Sequence, residues 1–189
     1  MIGIDNKIER VRILFEQALF LDYGYTAYGR AFLNQKEGNT IPEILDADNE
    51  YKEMLLDDKL DAQSFFVVEN DYTVENSKKL SGEVSIYFAV NLGVVYPSVS
   101  ERAVEYIHRD VMNILKGTDF QLTGITSGRD AFSGFEIKVG DNMQPFYLVK
   151  FTTAVSWLLN DCVRIPTDAI TYENGNFIAM ENGAILIGG

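Results

Sequence analysis

Residues 83–92 read EVSIYFAVNL, and residues 100–117 read SERAVEYIHRDVMNILKG. In the first stretch Val84, Ile86, Phe88, Val90 and Leu92 alternate with Ser85, Tyr87, Ala89 and Asn91, the two-residue period of a strand with one strongly apolar face and one mixed face. The spacing predicts a half-buried strand of an antiparallel or mixed sheet. In the second stretch Ala103, Val104, Ile107, Val111, Ile114 and Leu115 recur at helical spacing. Ser98 and Glu101 have the separation of a capping box, and Gly117 stands where a helix ends in a left-handed residue. An amphipathic helix beside an apolar-faced strand sets the expected class. That class is α+β, a small mixed, mainly antiparallel sheet packed by two amphipathic helices.

Working outward, Ile8, Val11, Leu14, Phe15, Ala18 and Leu19 predict the other helix over residues 6–21, opened by a capping box at Asn6 and Glu9. Gly24 and Gly29, among Tyr23, Tyr25 and Tyr28, predict an irregular aromatic segment with one strand near Ala31 to Asn34. Residues 50–60 are expected as a short helix and Ser64 to Val68 as a strand. Residues 118–134, rich in Gly, Ser and Thr, read as a loop. Phe135 to Val139 and Tyr147 to Trp157 then alternate as two strands, expected to form a hairpin across the turn chemistry of GDNMQP. The core domain is placed at 1–160. Beyond it, 161–189 carries two Asn-Gly dipeptides between apolar pairs, at Asn174–Gly175 and Asn182–Gly183, which predict a C-terminal β-meander or arm.

Composition narrows the function classes. The chain has 189 residues, 28 Asp and Glu against 16 Lys and Arg, and a net charge of −12. At this length roughly 70% of the unfolded surface can be buried without disulfides or metals. There is no run of about 18 apolar residues to span a membrane and no basic, apolar leader, so the expectation is an intracellular protein without membrane association. Cys162 is the one cysteine, as suits a reducing compartment. An acidic chain repels phosphate backbones, which disfavours specific nucleic-acid binding. Net charge −7 falls within residues 43–80, which are expected as an excursion from the core. Such a run is ordinarily a solvated face.

Motifs for chemistry are weak. His108–Arg109–Asp110 with Asp119–Phe120 has kinase flavour, yet Asn113 lies three rather than five residues past the Asp, and Gln121 replaces the glycine. Asp46, Asp48 and Glu50 begin like a calcium loop, but Tyr51 replaces its glycine. One histidine and one cysteine cannot furnish a zinc site, and nothing marks Cys162 and His108 as partners. The expectation is no catalytic residue, no metal and no cofactor. Twelve Phe and ten Tyr suit an assembly surface better than an enzyme.

The order of a helix over 4–20, EVSIYFAVNL, SERAVEYIHRDVMNILKG, GFEIKV, DNMQPF and YLVKFTTAVSW resembles the tail-terminator and tail-completion proteins of tailed bacteriophages, and related neck ring proteins. The resemblance implies a structural virion protein, assembled in the bacterial host cytoplasm. It implies a homo-oligomeric ring that joins other phage neck or tail proteins and lets DNA pass through its lumen without specific binding. Asp57, Asp58 and Asp61 are then candidates for an acidic lumen face. Asn142, Met143, Gln144, Pro145, Phe177, Ile178, Ile185 and Ile187 are candidates for the subunit interface. The alternatives are a soluble acidic adaptor or inhibitor of a basic partner, and a small Mg²⁺-dependent hydrolase using Asp46 or Asp48.

Overall fold

The computed structural model describes residues 3–45, 50–57, 59–69, 72–76, 79–98, 103–136, 138–139 and 146–158. In chain order these form α1 (Ile4–Ala18), β1 (Tyr25–Lys36), β2 (Asn39–Leu45), β3 (Tyr51–Glu53), β4 (Leu55–Leu56), β5 (Ala62–Val68), β6 (Thr73–Asn76) and β7 (Lys79–Asn91). There follow a single helical turn α2 (Leu92–Val95), α3 (Ala103–Leu115), β8 (Gln121–Ser127), a 3₁₀ turn (Gly128–Phe132), β9 (Lys138–Val139) and β10 (Phe146–Leu158). The main sheet runs β3-β2-β1-β5-β7-β10-β8, with β6 also on β7. Within it β1 and β5 are parallel and the other pairs antiparallel. The fold is α+β with a mixed, mainly antiparallel sheet, as the two opening stretches predict. The C-terminal meander lies outside the described residues.

One face of the sheet carries the helices. Ile4, Ile8, Val11 and Phe15 of α1, with Ile107, Val111 and Leu115 of α3, bury against Val84, Ile86, Phe88 and Val90 of β7 and Val149, Phe151 and Val155 of β10. Phe15 sits at the middle, its ring 5.8 Å from that of Phe66 and 5.4 Å from that of Phe88. The strand predicted to be half-buried is buried on both faces. Ser85, Tyr87 and Ala89 point into a second core with Met54, Leu56, Phe65, Ala131, Phe132 and Phe135. Phe65 stacks on Tyr87 at 5.0 Å, and Phe132 and Phe135 close over both.

Several local expectations give way to tertiary packing. α1 begins at Ile4 behind Gly3, without a side-chain cap. Burial of Ile4 draws the start forward, and Glu9 takes a two-pronged bond from Arg12 in place of capping. α1 ends at Ala18 rather than Leu21, because Phe20 turns left-handed (φ 53°) and sets its ring 5.1 Å from Tyr25. The irregular segment after it is instead the long strand β1. Its alternation is concealed by a bulge between Ala27 and Arg30.

Residues 50–60 form β3 and β4 and not a helix: pairing of Glu53 with Glu43 and burial of Met54 and Leu56 override their helical propensity. Residues 118–134, expected as a loop, contain β8. The expected hairpin is not made, since β10 lies between β7 and β8 while β9 pairs with β4 in a separate parallel pair. Gly117 is not left-handed. Thr118 ends α3 instead, its hydroxyl donating to the Leu115 carbonyl at 2.8 Å and accepting the Phe120 amide at 3.2 Å.

Residues 43–80 are likewise no excursion from the core. They supply β5, which lies between β1 and β7 with Ala62 to Val67 buried. Four of their described acids lie at two ends of the sheet. Asp57 and Asp61 lie at the end where β5 begins and β7 finishes, and Glu69 and Glu75 at the other.

Candidate assembly surface

β8 forms one edge of the main sheet and β3 the other. The two edges differ in kind. β3 is three residues, Tyr51, Lys52 and Glu53, short and charged in the manner that blunts an edge. β8 is seven residues, QLTGITS, without a charge or a proline, and among the described residues it pairs only with β10. Its outward backbone groups form a row suited to strand addition. Ile125 on this strand is 38% exposed. A bulge at the Thr152–Thr153 step, where the Thr123 hydroxyl donates to the Thr152 carbonyl at 3.0 Å, twists the strand without interrupting it.

A second projection is the β1–β2 hairpin. Beyond Ala31, β1 pairs with β2 alone, so its tip extends past β5. The two-residue loop Glu37–Gly38 has φ values of 52° and 89°, as a type I′ turn demands. Glu136 braces the tip through its amide, which donates to the Thr40 carbonyl at 2.8 Å, and its carboxylate accepts from Asn39. Behind the tip Glu43, buried by its strand neighbours, is ion-paired to Lys36, which also reaches Glu53 at 3.4 Å.

Asp57 and Asp61, candidates for a lumen face, share one end of the sheet and both serve the backbone there. Asp61 accepts the Gly24 amide on Oδ2 at 2.9 Å, and Asp57 accepts the Lys59 amide on Oδ1 at 2.9 Å. Buried Gln63 holds the Asp57 backbone, accepting its N–H at 3.0 Å and donating to its carbonyl at 2.7 Å. Asp58 lies outside the described residues. So do Asn142, Met143, Gln144, Pro145, Phe177, Ile178, Ile185 and Ile187, as well as Asp46, Asp48 and Cys162.

His108 is half-buried, its ring edge-on to Phe151 at 5.7 Å, and burial pushes its pKa below the ordinary imidazole value. Its Nε2 lies 3.4 Å from the Tyr147 hydroxyl, which donates to Ser127 Oγ at 2.7 Å. The phenol thus stands between imidazole and serine, and the imidazole does not take up the serine proton directly. Asp110 accepts from the Tyr96 hydroxyl at 2.9 Å and pairs with Arg109, and Asp119 pairs with Lys7. These are packing roles for the kinase-like residues. Among the described residues no group of three or more His, Cys, Asp or Glu side chains is placed to hold a metal.

One charged cluster is invisible in sequence. Glu69 accepts from the Tyr87 hydroxyl at 2.6 Å and from Lys150 at 2.9 Å, on the second face of the sheet. Burial alone would raise the Glu69 carboxyl, but the bonds from Tyr87 and Lys150 outweigh it and hold it below the usual carboxylate range. Burial, reinforced by Glu69, pushes the Tyr87 phenol far up.

No protein-family model matches this chain, and no curated protein matches it.

Proposed function

We propose that this chain is a structural virion protein of a tailed bacteriophage, a subunit of an oligomeric ring at the head–tail junction or in the tail. The observation that carries the reading is the unlike pair of sheet edges, one charged and short, the other uncharged and open, on a subunit whose helix–strand order resembles ring-forming neck and tail proteins. Unlike surfaces suit heterologous, head-to-tail contacts, which close into rings when the rotation per subunit divides the circle. In such a ring, the sheet end bearing Asp57 and Asp61 faces the lumen, where carboxylates repel the phosphates of passing DNA.

Native mass in solution, with imaging of the assembled species, tests the reading. A closed ring of fixed subunit number is expected, its mass unchanged by added DNA. A chain that stays monomeric at high concentration and instead captures a basic protein would replace this reading with the acidic adaptor.

A further inference from the structure

The ring reading leaves open what bonds one subunit to the next, and on that reading the edge of β8 has a donor within the same sequence. We infer that the β8 edge of one copy receives, by strand addition, the 169–187 segment of a neighbouring copy.

The acceptor is β8 itself, a seven-residue strand with β10 on one side and, among the described residues, nothing on the other. Long, uncharged edges are rare in proteins that remain single, because they pair with any available strand. The opposite edge cannot serve as a like acceptor, since β3 offers three residues and two of them are charged.

The donor is argued from length and pattern. Described structure ends at Leu158 on β10, the strand beside β8, and 31 residues follow. Within them the apolar residues flanking Asn174–Gly175 and Asn182–Gly183, among them Phe177, Ile178, Ile185 and Ile187, have the pattern of short strands joined by type I′ turns. Short strands of that kind are marginal unless a larger sheet receives them. Residues 159–168 can span up to roughly 33 Å when extended, about seven interstrand spacings, enough to leave the parent sheet. An acceptor edge and a donor segment on different surfaces of one chain form a head-to-tail contact, the class that a ring requires.

The test uses two variants of the full protein and their mixture. In an antiparallel edge strand only alternate residues turn their N–H groups outward. Ile125→Pro and Thr126→Pro are therefore both made, and the one that keeps the wild-type melting temperature serves as the edge-blocked variant. The second variant lacks residues 167–189. Each alone is expected to be monomeric by native mass spectrometry, whereas their mixture gives a one-to-one heterodimer, the tail of the first on the edge of the second. A tail-deleted chain that still forms the ring, or a mixture without heterodimer while the wild type forms its ring, overturns the inference and leaves the ring reading intact. A monomeric wild type whose β8 amides lose hydrogen-exchange protection on tail deletion also overturns it, since the tail then covers the edge of its own subunit. A monomeric wild type without that protection defeats the ring reading together with this contact.

Discussion

Asp61 and Gly24 exchange two hydrogen bonds at one end of the sheet. Asp61 Oδ2 accepts the Gly24 amide at 2.9 Å, and the Asp61 amide donates to the Gly24 carbonyl at 2.7 Å. The Asp61 carbonyl in turn accepts the Asn91 amide at 2.8 Å, linking the entry of β1, the entry of β5 and the end of β7. Asp61→Ala should lower stability by about 0.5–1.5 kcal/mol, the usual net worth of a hydrogen bond that water can reach. Asp61→Asn keeps an acceptor oxygen and should cost less than half of that. Chemical denaturation of both variants checks the order. The Asn variant also removes charge from the proposed lumen while preserving the fold, so it is the variant in which to look for DNA retention by assembled rings.

The Glu69 carboxylate gives stability a defined acid limb. Its folded pKa lies below the unfolded value, so the folded state binds fewer protons than the unfolded chain and the contribution is complete above about pH 5. It is lost as pH falls below the unfolded carboxylate range and through the folded pKa. Lys150→Met removes the cation that offsets burial, so the limb should move to higher pH and stability at pH 7 should fall by about 1–3 kcal/mol. Melting temperature followed against pH in wild type and variant tests both shifts.

His108 works in the same sense at a higher pH. Burial depresses its pKa, so the unfolded chain takes up a proton near pH 6.5 that the folded chain resists. Stability attributable to this group should decline as pH falls below about 6.5 and level off once the folded pKa is passed. His108→Phe should flatten stability just below about pH 6.5 without moving the acid limb set by Glu69. An unchanged slope in that range would refute the assignment.

At the hairpin tip, Gly38 has a φ of 89° and Glu37 a φ of 52°. Gly38→Ala should destabilise the protein by about 1 kcal/mol or more, whereas Glu37→Asn should stabilise it by a few tenths of a kcal/mol to about 1 kcal/mol, because Asn tolerates the left-handed region better. Thermal unfolding of the two variants should show shifts of opposite sign.

In the helix-side core, Phe15→Ala should cost about 3–5 kcal/mol, since its ring is wholly enclosed between Phe66 and Phe88 and little can collapse into the space. Urea titration monitored by circular dichroism measures the loss.

The fold was legible where residues obey a period imposed by burial. β7, β10 and α3 each present a continuous apolar stripe to one core, and their alternation is plain in sequence. β8 lacked such a stripe because an edge strand near Gly124 needs little apolar side chain; its partner strand holds it. Residues 50–56 carry helix-forming Lys, Glu, Met and Leu, but the deciding force is the second core, which takes Met54 and Leu56 from across the sheet. The two-sided burial of β7 was hidden for the same reason, since the covering Phe132 and Phe135 follow in the chain by some forty residues. The Glu69–Lys150 pair joins residues 81 positions apart and has no local signal. The acidity of 43–80 was legible as an amount but not as an arrangement, because buried β5 divides it.

β7 occupies the middle of the sheet, yet one of its flanking strands, β10, is made last among the described elements, and the two are paired along thirteen residues. On the ribosome, synthesis from the end of β7 to the end of β10 takes roughly 3–13 s at ordinary elongation rates. For that interval the nascent chain shows a bare apolar strand edge, and the acceptor edge of β8 has no strand to stand against. If β8 is the docking edge proposed above, translation sets the order of events: that edge has no partner strand until β10 is made, so a subunit completes its own sheet before it can dock.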